Sequence, residues 1–256
     1  MAELAEQAGR TSRARHARWV KLTHWVGTVS FLILAFTGIA ILMVHRRLYW
    51  GEVGNDLTPA LLELPISRNH QHGGWDKRTP FFQEASSPIS ASRTYDIFNQ
   101  NGWGRSLHFL AGWFFVLSGA VYLLAGIFSG HFWRHLLPRR SELSPAQFWR
   151  ELRAHLRLRI SSTPGSAHYG LLQKCTYVGV VFIALPLMVV TGLAMSPAIT
   201  AAFPFLSGMF GGHQSARTIH FLAFAALLLF LLVHLVMIVL SGFKQQMRAM
   251  TWGRDQ

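Results

Sequence analysis

Four long apolar blocks without any Lys, Arg, Asp or Glu constrain this chain of 256 residues more than any other feature. Each block is close to the ~20 residues that an α-helix needs to cross the hydrocarbon core of a bilayer. The blocks cover residues 22–44, 107–128, 175–196 and 218–241. We therefore predict an all-α membrane protein with four transmembrane helices. The first block is expected to be a retained span, because its apolar run exceeds the roughly 7 to 15 residues of a secretory signal.

The distribution of basic residues predicts the orientation of these helices. Of the 24 lysine and arginine residues, 16 lie in residues 1–21, 129–174 and 242–256, which four spans place on one side. Cytoplasmic segments carry such an excess, so we expect a bacterial inner-membrane protein with both termini in the cytoplasm. A net charge of +13 can also indicate nucleic-acid binding. Here the basic cytoplasmic loop is better explained as an interfacial helix beside anionic headgroups, and we expect no nucleic-acid partner.

The second half of the chain repeats part of the first. Residues 105–111 (RSLHFLA) and 217–223 (RTIHFLA) open the second and fourth blocks at an offset of 112. The first and third blocks share residues 37–40 (TGIA) and 191–194 (TGLA), whose small side chains allow helices to approach closely. We predict a four-helix bundle of two related hairpins, with the whole chain as a single membrane domain.

Four histidines in these blocks lie at two depths. His220 and His234 are 14 residues apart, which on an α-helix is about 21 Å of rise and within roughly 40° of the same face. His108 lies at the periplasmic end of the second block, and His24 lies at the cytoplasmic start of the first. Depth therefore pairs His108 with His220 (the outer pair) and His24 with His234 (the inner pair).

These histidine pairs predict two haem b groups. Haem iron in electron-transfer sites takes two strong axial ligands, so each pair can hold one haem. An ionisable group within the bilayer is costly and usually functional, which applies most to His234. Covalent haem attachment is not expected, because the chain has no Cys-x-x-Cys-His motif and Cys175 is its only cysteine. The other histidines, including His131, are interpreted as surface residues.

Three basic residues are candidate contacts for the haem propionates. Lys21, Arg105 and Arg217 each precede one of the four histidines by three positions. Residues i and i+3 share a face of a helix, so these cations could reach the propionates. For Lys21, the general excess of basic residues on the cytoplasmic side is an equally good explanation.

A quinone site is expected on the cytoplasmic side, beside the inner pair. A quinone carbonyl needs a hydrogen-bond donor, and Gln173 and Lys174 supply two donors at the start of the third block. With Trp25 they form the predicted lining. The alternative for Gln173 and Lys174 is that they only anchor the helix at the interface.

At these residues the chain resembles the bacterial cytochrome b561 superfamily, which includes the cytochrome b subunits of nickel–iron hydrogenases and the gamma subunit of formate dehydrogenase. The resemblance covers nearly all of residues 15–250, including residues 48–51 (LYWG) and 102–105 (GWGR), and is closest for the thiosulfate-reductase-type cytochrome b subunit. It implies two b haems with the pairing given above, and quinone exchange near the inner haem. It also implies a periplasmic redox partner, commonly a molybdopterin oxidoreductase.

The leading functional hypothesis is a membrane subunit that transfers electrons between a periplasmic oxidoreductase and the quinone pool. The sequence offers no nucleotide-binding loop, iron–sulfur ligands or activated nucleophile, which favours an anchor subunit over a complete enzyme. The long loop 45–106 is the expected docking surface, with a disordered tether as the alternative. Two other hypotheses are a stand-alone superoxide:quinone oxidoreductase on the same scaffold and a transporter whose histidines bind a metal or relay protons.

Overall fold

The computed structural model describes residues 17–44, 46–55, 58–64, 102–138, 142–157 and 170–251. Within these residues, four helical segments are long and apolar enough to cross a membrane. Helix α1 covers Arg18–Val44, α2 covers Gly102–Phe128, and the third segment covers Leu171–Ala194. The fourth is α8, which covers His213–Leu240. The prediction of an all-α protein with four spans is confirmed.

The long helices begin several residues before the predicted apolar blocks. Helices α1, α2 and α8 begin at residues 18, 102 and 213, whereas the blocks begin at residues 22, 107 and 218. The added residues include Lys21, Arg105 and Arg217, which are polar but compatible with a helix. Hydropathy locates only the segment that fits in hydrocarbon, so the helices extend beyond it into the polar headgroup region.

The third segment is an interrupted helix. It consists of α4 (Leu171–Gly179), a π-helical turn (Val180–Ala184) and α5 (Leu185–Ala194). Pro186 lies at the start of α5, where it has no backbone N–H to donate and its ring would crowd the preceding turn. The wider π turn just before it is a common way for a helix to absorb such a defect.

Small residues form the buried faces of the long helices, whereas large apolar residues are exposed. Ala40, Ala194 and Ala216 are completely buried, and Ala111 is nearly so. By contrast, α2 exposes Phe114, Leu117, Val121, Leu124 and Phe128, among others. Lipid tails are as apolar as leucine, so helices in a membrane associate through close packing of small residues. This pattern agrees with an integral membrane protein.

The chain divides into two compact units. The first unit contains Met1–Trp25, Ser118–Ala184 and Leu227–Gln256, and the second contains Val26–Leu117 and Leu185–Ala226. Each unit includes part of every long helical segment. The inner pair of histidines belongs to the first unit, and the outer pair belongs to the second.

In the second unit, residues 46–64 are anchored to the start of α8. Strands β1 (Arg47–Leu48) and β2 (Leu62–Glu63) form an antiparallel pair. The carbonyl of Gly51 accepts hydrogen bonds from the backbone N–H groups of Gln214 and Ser215, and the Gly51 N–H donates to Ser215 Oγ at 2.7 Å. The first N–H groups of a helix lack partners within it, so this segment caps α8. Residues 45, 56, 57 and 65–101 of the predicted docking loop lie outside the described residues.

In the first unit, the basic loop contains helix α3 (Pro145–Leu156). Ser144 caps it by accepting a hydrogen bond from the Gln147 N–H, and Pro145 occupies its first turn. The carboxylate of Glu151 accepts a hydrogen bond from the backbone N–H of Leu172 at 2.8 Å, which joins α3 to the start of α4. The prediction of a helix in this loop is confirmed, and its contact with lipid headgroups stays a prediction.

The remaining helices are short. Helices α6 (Pro197–Ala202) and α7 (Phe205–Gly208) connect α5 to α8 in the second unit. A second π-helical turn (Phe132–Leu136) follows α2, and α9 (Phe243–Met250) follows α8, both in the first unit.

Candidate functional site

The two histidines of the outer pair are held in the same way. Nδ1 of His108 on α2 lies 2.9 Å from Oγ1 of Thr37 on α1. Nδ1 of His220 on α8 lies 2.8 Å from Oγ1 of Thr191 on α5. His108 and His220 are close enough for a positive charge on one to disfavour a charge on the other. The structure therefore places the two histidines of the predicted outer pair near each other, and their ligation of one iron stays a prediction.

The glycine after each threonine lies against the same imidazole. A Cβ atom added to Gly38 would stand 3.5 Å from Cε1 of His108, and one added to Gly192 would stand 3.5 Å from Cε1 of His220. These are ordinary contact distances for an added atom, so each glycine lies beside an imidazole with no side chain between them. The small residues predicted to allow close helix approach therefore pack on the histidines.

The donor set of the outer pair fits a haem with two axial imidazoles. With Nδ1 of each ring hydrogen-bonded to protein, Nε2 is the nitrogen left to face an iron atom. Gly112 follows His108 by one helical turn, on the same face of α2. No atom of a neighbouring described segment lies within 4 Å of the position that a Gly112 Cβ would take, so the part of the chain that the structure describes leaves open space on this face.

The two histidines of the inner pair have aromatic neighbours. His234 is half-buried and stacks on Phe230, with ring centroids 5.6 Å apart and planes inclined by 20°. Phe230 in turn meets Tyr177 edge to face. The exposed His24 lies edge to face with Trp25, at 5.4 Å. The structure places both histidines in the first unit, and their pairing on one iron stays a prediction.

Lys21 and Trp25 contact the end of α9. Lys21 Nζ donates to the carbonyl of Thr251 at 2.9 Å, and Trp25 Nε1 donates to the carbonyl of Met250 at 2.8 Å. The last carbonyls of a helix have no partner within the helix and attract cations and N–H donors. Both side chains thus have a structural role, and their predicted contacts with propionate and quinone stay predictions.

Gln173 and Lys174 also have protein partners. The exposed Gln173 donates from Nε2 to the hydroxyl of Tyr177 at 3.0 Å. Lys174 forms an ion pair with Glu142, with Nζ and Oε2 2.6 Å apart. The donors predicted to line a quinone site are therefore at the start of α4, as expected, but a ligand there would have to share or replace these contacts.

The two arginines that were predicted on the periplasmic side differ in their surroundings. Arg105 is exposed at the start of α2. Arg217 is half-buried and donates from a terminal nitrogen to Oε1 of Gln214 at 3.2 Å. A cation close to the outer pair fits a propionate, so the structure is compatible with the predicted contact at Arg217.

Sequence reasoning missed some residues around the histidines. Thr37 and Thr191 were predicted only as small residues for helix packing, although each hydroxyl contacts an imidazole. The repeated Thr-Gly motif was the available signal, but each threonine is on a different helix from its histidine. The prediction of a surface position does not hold for His131, because this half-buried side chain packs between the rings of Trp19 and Phe132.

The chain is similar to known proteins over most of its length. A family model described as prokaryotic cytochrome b561 matches residues 15–253. A relative from Azospira oryzae, named as a protein-methionine-sulfoxide reductase subunit YedZ1, is 26% identical over 227 residues. The match covers 89% of this chain and 91% of the relative. No solved structure matches the chain.

Proposed function

The chain belongs to the prokaryotic cytochrome b561 family, and from that premise we propose that it transfers electrons through two b haems between a periplasmic oxidoreductase and the quinone pool. Its place in the family makes it an integral membrane cytochrome b with a role in electron transfer. The proposal adds five points to this: the number of haems, their ligands, the quinone, the partner and the orientation in the bacterial inner membrane.

The outer pair carries the proposal. A bound haem supplies a one-electron Fe(III)/Fe(II) couple, and two strong axial ligands leave no position for a substrate. His108 and His220 lie near each other, and Nδ1 of each forms a hydrogen bond with a threonine on a neighbouring helix. The two histidines would bind the haem iron, and the threonines would orient their imidazoles. None of these residues needs to move for an electron to enter or leave.

The inner pair supports a second haem. His234 is an ionisable side chain within a candidate span, and such a group in a membrane is usually functional. His24 belongs to the same compact unit. Helix α8 would thus contribute one axial ligand to each haem, through His220 and His234.

The haem assignment is tested by counting haems in purified variants. We expect two b haems per chain by pyridine haemochrome, with His108→Ala and His234→Ala each removing a different spectral component. His131→Ala is the matched control, because this half-buried histidine lies outside both pairs and should leave two haems. One haem in the unaltered protein would contradict the two-haem proposal, and loss of the same component in both variants would contradict the pairing. Absence of haem bands would instead favour the transporter hypothesis.

Quinone exchange is proposed at the cytoplasmic side, with Trp25, Gln173 and Lys174 as the lining. Replacing Gln173 and Lys174 together by leucine should slow the reaction with quinone while dithionite still reduces both haems. Glu142→Gln is the control, because it weakens the ion pair with Lys174 but keeps both donors. Unchanged quinone kinetics in the double variant would reject these residues, and an equal effect of Glu142→Gln would show that only the ion pair matters.

The proposed partner is a periplasmic oxidoreductase of the molybdopterin type. The name of the Azospira relative describes a subunit of a protein-methionine-sulfoxide reductase, which makes a reductase of that kind a specific candidate. Docking is proposed at the loop 45–106. Replacing residues 68–98 by a short linker keeps the anchored segment 46–64 and should abolish electron exchange with the partner while both haem spectra remain. Superoxide-driven quinone reduction that survives this change and needs no partner would favour the stand-alone oxidoreductase.

A further inference from the structure

The hydroxyl hydrogens of Thr37 and Thr191 are already used within their own helices. Thr37 Oγ1 donates to the carbonyl of Ile33 at 2.7 Å, and Thr191 Oγ1 donates to the carbonyl of Leu187 at 2.6 Å. A hydroxyl has one hydrogen and two acceptor lone pairs. Each oxygen therefore presents a lone pair to the imidazole beside it, and the imidazole nitrogen must be the donor.

A second acceptor leads to the same conclusion. The imidazole of His108 also has a backbone hydrogen bond with Leu34, and that of His220 has one with Met188. In each ring Nδ1 faces the threonine. The carbonyls of Leu34 and Met188 belong to the residues three positions before these threonines, so they lie on the same side of the ring as Nδ1. Carbonyl and threonine oxygens can both only accept here, so Nδ1 carries the hydrogen and Nε2 carries the lone pair. Nε2 is thus ready to bind a metal in each ring.

Burial keeps the two rings in this orientation. Thr37 and Thr191 are completely buried, so water does not compete for their oxygens. Gly38 and Gly192 lie beside Cε1 of the same rings, next to Nδ1, where an added Cβ would stand 3.5 Å away. Rotation of either ring by half a turn would bring a carbon atom to the threonine oxygen and leave a buried polar group without its partner, which costs about 1–3 kcal/mol.

We propose that Thr37 and Thr191 are positioning residues for the outer haem, each fixing the tautomer and orientation of one axial imidazole and making it a stronger ligand. The assignment rests on the proposed ligation by His108 and His220. A hydrogen bond from the second ring nitrogen of a ligating histidine raises its basicity, and loss of such a partner typically lowers metal affinity or activity about 10- to 100-fold.

The test uses the full-length protein in detergent, with Thr37→Val and Thr191→Val as the variants. Valine keeps the shape of threonine but has no oxygen. Thr37→Ser and Thr191→Ser are the matched controls, because serine restores the acceptor. The readouts are the rate at which the outer haem is lost and its midpoint potential by redox titration. Neither measurement requires the quinone or the partner protein.

Each valine variant should lose the outer haem faster, by about tenfold or more. Its potential should rise, because a less basic ligand stabilises Fe(III) less, and a tenfold change in the one-electron equilibrium corresponds to about 59 mV. The remaining backbone acceptor limits the shift. The serine variants should return both values toward those of the unaltered protein, and the inner haem should not change.

An outer haem with unaltered potential and retention in both valine variants would overturn the positioning role. So would equal changes in both haems, which would indicate a general loss of packing. If one valine variant does not fold, the other gives the same test because the geometry is repeated. Electron–nuclear double resonance on the unaltered protein tests the proposal without a variant, since an Nδ1 without a hydrogen-bonded proton would overturn it. Loss of haem from His108→Ala would still support the ligation itself.

Discussion

Gly212→Ala should destabilise the protein strongly, because Gly212 combines an unusual backbone conformation with a very close backbone contact. Its φ angle is +121°, and that of Gly211 is +77°. A Cβ atom on Gly212 would stand 2.5 Å from the carbonyl carbon and oxygen of Gly51. Among the described residues, a Cβ atom on Gly211 would meet only Ser215 Oγ, at 3.8 Å. Gly211→Ala is therefore a control that shares the conformational strain but not the collision.

The expected magnitude follows from what the collision displaces. A side chain at either position costs about 1–3 kcal/mol of backbone strain. At Gly212 the backbone of Gly51 must also move, which breaks its hydrogen bonds with Gln214 and Ser215. Three such bonds contribute about 0.5–1.5 kcal/mol each. Gly212→Ala should thus be about 2–4 kcal/mol more destabilising than Gly211→Ala, with part of the difference recovered if the segment relaxes.

Unfolding in mixed micelles with increasing SDS, followed by helical circular dichroism, gives the free-energy change for both variants. If His220 ligates a haem as proposed, the band of that outer haem reports whether the start of α8 is disturbed as far as His220. Equal destabilisation by the two variants would refute the reasoning, because it would mean that strain alone matters and that residues 46–55 do not hold α8.

Three further predictions concern the first unit. Gly126→Ala should lower the free energy of unfolding by about 1–3 kcal/mol, because an added Cβ would overlap the buried ring of Phe132. Gly119→Ala should have little effect in the same micelle unfolding assay, because no atom of the described residues lies within 4 Å of its added Cβ. Burial tends to raise the pKa of Glu151, but hydrogen bonds from Gln147 and the backbone of Leu172 lower it below its usual value. The ionised carboxylate of Glu151 should therefore stabilise the contact between α3 and α4 fully above about pH 4.3. This stabilisation should be lost as the pH falls through the pKa of Glu151 in the folded protein. Hydrogen exchange at the Leu172 N–H measures the loss. Trp25→Phe removes the donor to Met250 and should increase fraying of α9 in the same exchange experiment, while unchanged exchange there would show that this hydrogen bond contributes nothing.

The sequence was sufficient to predict what depends on hydropathy. Stretches without charged residues predicted all four long segments. Three of the predicted starts lie several residues after the observed ones, because Lys21, Arg105 and Arg217 are polar but helical. The two depths of the four histidines follow directly from residue number along each helix and stay a prediction.

Contacts between helices were not predictable in this way. Thr37 and His108 are 71 residues apart in the chain, and neither spacing nor hydropathy indicates which rotamers bring their side chains into contact. The capping of α8 by Gly51 is similar, because it joins a loop to a helix start 164 residues later in the chain. The position of His131 depends on the turn after α2, where a π-helical segment replaces the expected loop.

The internal repeat explains why the outer pair is symmetrical and the inner pair is not. Within each half of the chain, a Thr-Gly motif on one helix holds a histidine on the other, which gives Thr37 with His108 and Thr191 with His220. Each histidine of the outer pair is thus positioned by a threonine of its own hairpin, whereas the proposed iron ligation joins the two hairpins. The repeat has no equivalent for the inner pair, because Tyr122 stands where His234 stands in the second half. Tyr122 packs instead on Trp19 and Phe132. In the proposed ligation, the inner pair takes its second histidine, His24, from α1, outside the repeat, so nothing in the repeat requires it to share the hydrogen bonds or the potential of the outer pair.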